Sequence, residues 1–162
     1  MSGRGDGIRP FWIDAALRSV IWLGGAWGLA YLKKPDGASF LAVRRDAIGW
    51  LEGGAVLAGL ALHVWSNVSL ARGERQGAAG ASALVTDGPF QYLRNPIYLA
   101  GITLLLGVGL LYSTWRAADL ILPLLLFGYF HLSVVVVEEP ELRRRFSSKY
   151  EEYCQRVPRW FP

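Results

Sequence analysis

Two short stretches of the chain carry residues able to do chemistry. The first is Arg94-Asn95-Pro96, within DGPFQYLRNPIYLAG at the start of an apolar run. The second is Glu138-Glu139, within VVVVEEPELRRRF at the end of another. Asp87-Gly88-Pro89 is a turn signal. Asn95-Pro96 reads as a helix start, because Asn suits the N-cap and Pro suits the first position, where its missing N–H has no intrahelical acceptor to lose. The first turn, at Ile97 and Tyr98, then offers backbone donors and the positive end of the helix dipole, with Arg94 beside it. That is an anion site, for a ligand carboxylate or for a lipid phosphate. Adjacent glutamates at a lipid edge repel one another and are costly to desolvate, so they need partners. Those partners are either ligand hydroxyls and an ammonium, or Arg143–Arg145 close by. An anion-binding helix start facing a carboxylate pair suits a zwitterionic, ribose-containing ligand.

The two stretches meet only if the chain between them doubles back. Four apolar blocks supply the means: Phe11–Leu32, Ala47–Leu70, Ile97–Ser113 and Ala117–Val137. At the rise of an α-helix the third spans ~25 Å and the fourth ~31 Å, close to a bilayer core of ~30 Å. A turn around Thr114–Arg116 makes them a hairpin that returns the chain to the face it left. The Val run in SVVVVEE is compatible with a strand, but an open strand leaves its backbone unpaired in lipid, so a helix is expected. After Pro140, the residues Leu142, Phe146, Tyr150, Tyr153 and Val157 recur at helical spacing. They predict an amphipathic surface helix, its stripe in lipid or against the spans, or capping the ligand site. The expected fold is all-α integral membrane: four transmembrane helices plus a C-terminal amphipathic interfacial helix, in one domain over residues 1–162.

Composition agrees with this reading. Of 162 residues, 52% are hydrophobic, and they are segregated into helix-length blocks. The formal net charge of +4 comes without a recognised nucleic-acid motif, so the basic loops are read as membrane topology. Basic residues gather at the termini and in the loop after the second block (Arg72, Arg75, Arg94, Arg143–Arg145), against Lys33, Lys34, Arg44, Arg45 and Arg116 opposite. This places both termini in the cytoplasm of a multi-pass inner-membrane protein. The first block is read as a retained helix, not a cleaved leader, with Asp14 and Arg18 paired at i, i+4. The single cysteine, Cys154, allows no internal disulfide and no cysteine cluster for a metal, and reads as a bystander. Small residues four apart (Gly24 and Gly28, Gly49 and Gly53, Ala55 and Gly59) predict close helix packing. Glu52, Tyr129 and His131 are expected to face the bundle interior, His63 to be structural, and Trp50, Trp65 and Trp115 to lie at interfaces or in packing contacts.

The segments LVTDGPFQYLRNPIYLAG and EEPELRRRFSSKYEEYCQRVPRWFP together resemble the membrane methyltransferase superfamily, which includes isoprenylcysteine carboxyl methyltransferases and phospholipid N-methyltransferases. The resemblance covers residues 84–162. It implies S-adenosylmethionine as cofactor, bound near the cytoplasmic face, and a lipid-like or small hydrophobic methyl acceptor drawn from the membrane. It further implies that Leu84, Val85 and Phe90 line the cofactor pocket. Asn95, Pro96, Ile97 and Tyr98 form the motif usually written Arg-His-Pro-x-Tyr, Gly101 matches the small residue after it, and Glu138 and Glu139 match the acidic pair. Two departures stand out. Asn95 replaces the usual His and cannot titrate. Val134 occupies the place where the eukaryotic isoprenylcysteine enzymes carry an Arg, and Val cannot hold a substrate carboxylate.

Methyl transfer from a sulfonium needs orientation and exclusion of water more than covalent help, so the lack of a Ser–His–Asp arrangement is no objection. Arg94 and His131 are the candidates for a direct role. His131 lies seven residues before Glu138, two turns along the same helix face, either as a hydrogen-bonded core residue or as a base or positioner for the acceptor. Two alternatives of other classes stand beside this reading: an NADPH-dependent, sterol-reductase-like membrane enzyme, and a non-catalytic membrane scaffold.

Overall fold

The computed structural model describes residues 20–28, 47–76, 84–111 and 120–161, and every regular element among them is helical. Helix α1 covers residues 20–28, α2 Ala47–Gln76, α3 Pro96–Leu111 and α4 Ile121–Ser133. A π-helical turn, Val134–Glu138, joins α4 to α5 (Glu139–Phe146), and α6 (Ser148–Arg156) follows. A 3-10 turn, Gly88–Gln91, precedes α3. The front of the first apolar block, with Asp14 and Arg18, and the turn expected around Thr114–Arg116, with Trp115, lie outside the described residues.

Among the described residues, two helices are long and apolar enough to cross a membrane: Gly49–Gly73 within α2, and the continuous run Ile121–Phe146 from α4 through α5. Helix α3 is apolar but shorter, at 16 residues. The described residues thus supply two of the four expected spans, with α3 as a shorter apolar partner. Only 22% of the apolar window in the first long helix and 11% in the second is buried, whereas a core helix of a water-soluble domain is mostly covered. Leu51, Leu57 and Val64 on α2, and Leu124, Leu125 and Val136 on the second, point outward. Outward apolar faces of this extent suit a membrane environment.

Helices α2 and α3 meet through their backbones. A Cβ added at Gly59 would stand 2.8 Å from the Leu104 amide nitrogen and 2.9 Å from the Ala100 carbonyl oxygen. One at Gly107 would stand 2.8 Å from the amide nitrogen of Val56. Close approach at small residues is how helices associate where lipid offers no hydrophobic drive. The expected spacing is therefore used at Ala55 and Gly59, but Gly24, Gly28 and Gly53 meet no neighbour among the described residues. Gly101 is small for another reason: the Trp22 ring of α1 lies where its Cβ would go. Trp22 and Ala26 close a core with Ile102, Leu104, Leu105 and Val108, against which Phe127 and Phe130 of α4 pack.

Two expectations about the polar and C-terminal residues are corrected. Tyr129 points outward, 64% exposed, while Phe130 takes the inward place beside Tyr98. Glu52 and His63 are buried as expected, and Trp50 and Trp65 are exposed at the helix surface. The C-terminal segment is two helices, not one. Ser147 breaks it with φ 48° and ψ −124°, in a left-handed region few L-residues adopt, and its amide closes α5 on the Arg143 carbonyl. The bend turns the apolar stripe inward. Tyr150, Tyr153 and Val157 are buried with Leu84, Leu142, Phe146 and Cys154, so the stripe packs on protein.

Candidate functional site

The Asn–Pro corner is built as its residues dictate. The 3-10 turn carries Pro89 in its first turn, and Gly88 adopts φ +60° while packing on the Ser69 side chain of α2, where no Cβ fits. Helix α3 begins at Pro96, and the Asn95 carbonyl accepts the Leu99 amide at 3.2 Å. The Asn95 side chain also reaches the C-terminal tail, where its Nδ2 donates to the Arg159 carbonyl at 3.1 Å.

The acidic pair is aimed by the π-helical turn. The Glu139 amide donates to Val134, five residues back, one more than in an α-helix. Pro140 follows at once. Its ring crowds the carbonyl four residues before it, and a wider turn at that point relieves the crowding. The wider turn also rotates less per residue, so seven positions no longer bring a side chain back to the same face. Glu138 and His131 consequently diverge.

Glu138 and Glu139 have different surroundings. Glu138 is half-buried, and Tyr98 donates its phenolic hydrogen to Glu138 Oε1. Glu139 has a side chain only 3% exposed, and both of its oxygens are taken by guanidinium groups. Arg159 engages it through two bonds, Nε to Oε1 at 2.6 Å and Nη2 to Oε2 at 2.9 Å, while Arg94 donates from Nη1 to Oε1 at 3.0 Å. Arg143 stands 3.7 Å from Oε2. A charge so buried is tolerated only when paired and hydrogen-bonded in this way. Of Arg143–Arg145, Arg143 reaches it; Arg144 pairs with Glu141 instead. Arg159, the bidentate partner, had no signal in the sequence, since it lies in an aperiodic tail twenty residues on.

Cys154 is no bystander, because Arg94 Nη1 also lies 2.8 Å from its sulfur. Tyr153 donates to the Phe90 carbonyl at 2.7 Å, tying α6 to the loop before α3. Burial pushes the Tyr150 phenol up to about 12, with Cys154 and Glu139 adding to the shift, and burial raises Tyr153 as well.

These elements enclose a cavity of about 300 Å³. Leu84, Val85, Phe90, Arg94, Asn95, Pro96, Ile97, Tyr98, Glu138 and Glu139 all line it. So do Val134, Leu142, Phe146 and Tyr150 from the second half of the chain. Its wall is mainly apolar, with Glu138, Tyr98, Arg94 and Arg145 among its polar side chains. The buried Arg94 Nε–H has no acceptor among the described residues. His131 does not line the cavity; its Nδ1 accepts the Trp160 indole N–H at 3.0 Å. Among the described residues, no group of three or more His, Cys, Asp or Glu is placed to hold a metal ion.

Comparison with known proteins gives two matches of different reach. The family model described as phospholipid methyltransferase matches residues 53–149, which includes both α3 and the acidic pair. The nickel-cobalt-cadmium resistance protein NccN of Alcaligenes xylosoxydans xylosoxydans is 28% identical over 82 residues. That alignment covers 51% of this chain and 37% of NccN, so the chain spans little more than a third of that relative's length. No solved structure matches the chain.

Proposed function

The chain belongs to the phospholipid methyltransferase family, and on that premise we propose that it transfers a methyl group from S-adenosylmethionine to a lipid-like or small hydrophobic acceptor at the cytoplasmic membrane face. What carries the reading is convergence. Ten residues singled out from two stretches some forty positions apart, Arg94 and the nine around it, border one cavity.

The cavity suits a donor of this kind. Apolar walls from Leu84, Val85, Phe90 and Ile97 offer a surface for a flat base. The Glu138 carboxylate, steadied by Tyr98, accepts hydroxyl or ammonium hydrogens. The first turn of α3 and the unsatisfied Arg94 Nε–H suit a carboxylate. Bound S-adenosylmethionine supplies an activated methyl group on a cationic sulfur. The protein's part is to hold that group, orient the acceptor and keep water away. In this reading Glu138 meets the ligand, whereas Glu139, with both oxygens engaged by arginines, fixes the frame. The acceptor enters beside the exposed Val135–Val137 edge, from the bilayer. Residues 1–162 act as one domain, and the basic bias of the loops sets the site on the cytoplasmic side of an inner membrane.

Calorimetry on the detergent-solubilised chain tests this directly. S-adenosylmethionine and its demethylated product should both bind, and NADPH should not displace them. Glu138→Gln should weaken product binding at least about tenfold, as expected for a lost charge-assisted hydrogen bond, with the melting temperature unchanged. Binding of neither nucleoside ligand by the wild-type chain ends the proposal.

A further inference from the structure

We infer that His131 is a positioning residue: its Nδ1 lone pair holds Trp160 and thereby keeps the strap Val157–Trp160 docked on Arg94, Asn95 and Glu139, which line the donor site. The inference rests on the donor reading above, and it assigns a role to a histidine that the cavity leaves outside.

The strap touches both halves of the site in consecutive residues. The Pro158 carbonyl accepts the Arg94 amide at 2.9 Å. The Arg159 carbonyl accepts the Asn95 side chain, while its guanidinium spans the two oxygens of Glu139. Trp160, 7% exposed, then anchors the strap on α4. Its indole packs at 5.0 Å from the Phe127 ring and donates to His131 Nδ1 at 3.0 Å. An indole N–H is a donor only, so the contact requires a ring nitrogen with a free lone pair, which fixes His131 as a neutral imidazole with its proton on Nε2. The same bond commits the lone pair that a proton-accepting role would need.

The chain of contact runs from His131 to Trp160, from there to Arg159, and from Arg159 to Glu139 and Asn95. Loosening its first link loosens Asn95 and Glu139, which line the cavity. Donor affinity should therefore respond, although His131 touches no ligand.

The test uses the full chain in detergent with two readouts: the dissociation constant of S-adenosylhomocysteine, and the rate at which trypsin clips after Arg156, read by intact mass. His131→Leu and Trp160→Phe should each weaken binding about fivefold, the worth of one neutral hydrogen bond, and speed the clip. Combining them should cost little more than either alone, because they break the same link. His131→Asn, whose side-chain oxygen can stand in for Nδ1, should restore both readouts and acceptor turnover. Loss of turnover in His131→Asn with binding and clipping intact would make His131 a base and overturn the inference. So would wild-type clipping in both His131→Leu and Trp160→Phe. If His131→Leu fails to fold, Trp160→Phe breaks the same bond from the other side. Should the wild-type chain bind no S-adenosylhomocysteine, the donor reading falls, while the clipping rates still decide whether the latch exists.

Discussion

The α2–α3 contact and the clasp around Glu139 are held by opposite means. In the first, Gly59 and Gly107 let backbones touch, and shape alone sets the register. In the second, one carboxylate gathers Arg94, Arg143 and Arg159 from three separate parts of the chain. The contrast follows from the solvent each faces. Between apolar helices neither water release nor charge is at hand, so dispersion at short range does the work. At the membrane edge, charges retain some hydration on the arginine side, and a single buried acid can draw distant segments together. The bundle is thus sensitive to volume, and the site to charge.

The largest expected effect tests the charged half. Glu139→Ala strands two arginines that are largely buried and should destabilise the protein by about 3–5 kcal/mol, with loss of ligand binding. A thermal melt in detergent with and without S-adenosylhomocysteine checks it. Survival of an intact, ligand-stabilised fold would mean that the clasp is incidental. Next, Gly59→Ala should cost about 2 kcal/mol, because its new Cβ meets backbone on α3 that cannot step aside. Gly53→Ala should instead gain about 0.5–1 kcal/mol, because Gly53 lies within a helix and meets no neighbour among the described residues. Equal effects at the two glycines would erase the distinction. The smallest effect lies where α6 joins the loop. Tyr153→Phe removes its bond to Phe90 and should cost about 1 kcal/mol. The folded-state phenols of Tyr150 and Tyr153 are raised, so the neutral form is favoured in the native protein. Their contribution is complete below the ordinary phenol value of about 10 and is lost as the pH climbs toward about 12. An absorbance titration of phenolate formation should show late ionisation in the wild type, and one late phenol fewer in Tyr153→Phe.

Features written in local chemistry were legible before the structure. Pro96 opens α3 because proline's fit to the first helical position is decided locally. The meeting of Arg94–Tyr98 with Glu138–Glu139 followed from reading two successive apolar runs as a hairpin that returns to the face it left. What escaped was anything requiring register or a distant partner. The π-helical turn displaced the face on which His131 and Glu138 were expected to align, because periodicity assumes a constant rotation per residue. The break at Ser147 lacks the glycine that normally announces such a backbone. Arg159 and Trp160 sit in a tail without repeat, so nothing local ties Arg159 to an acid on another helix or Trp160 to an imidazole. The acidic pair looked like two copies of one device for the same reason. Only their neighbours tell the two apart.

The bent tail also orders the protein's biogenesis. Helices α2 and α3 are translated before α5, α6 and the strap, and they can enter a bilayer while the cavity still lacks its outer wall. A chain made only as far as α3 has these apolar helices but not the cavity walls that Leu142, Phe146 and Tyr150 supply. The order of the chain thus separates the apolar helices, made first, from the residues of α5 and α6 that complete the cavity.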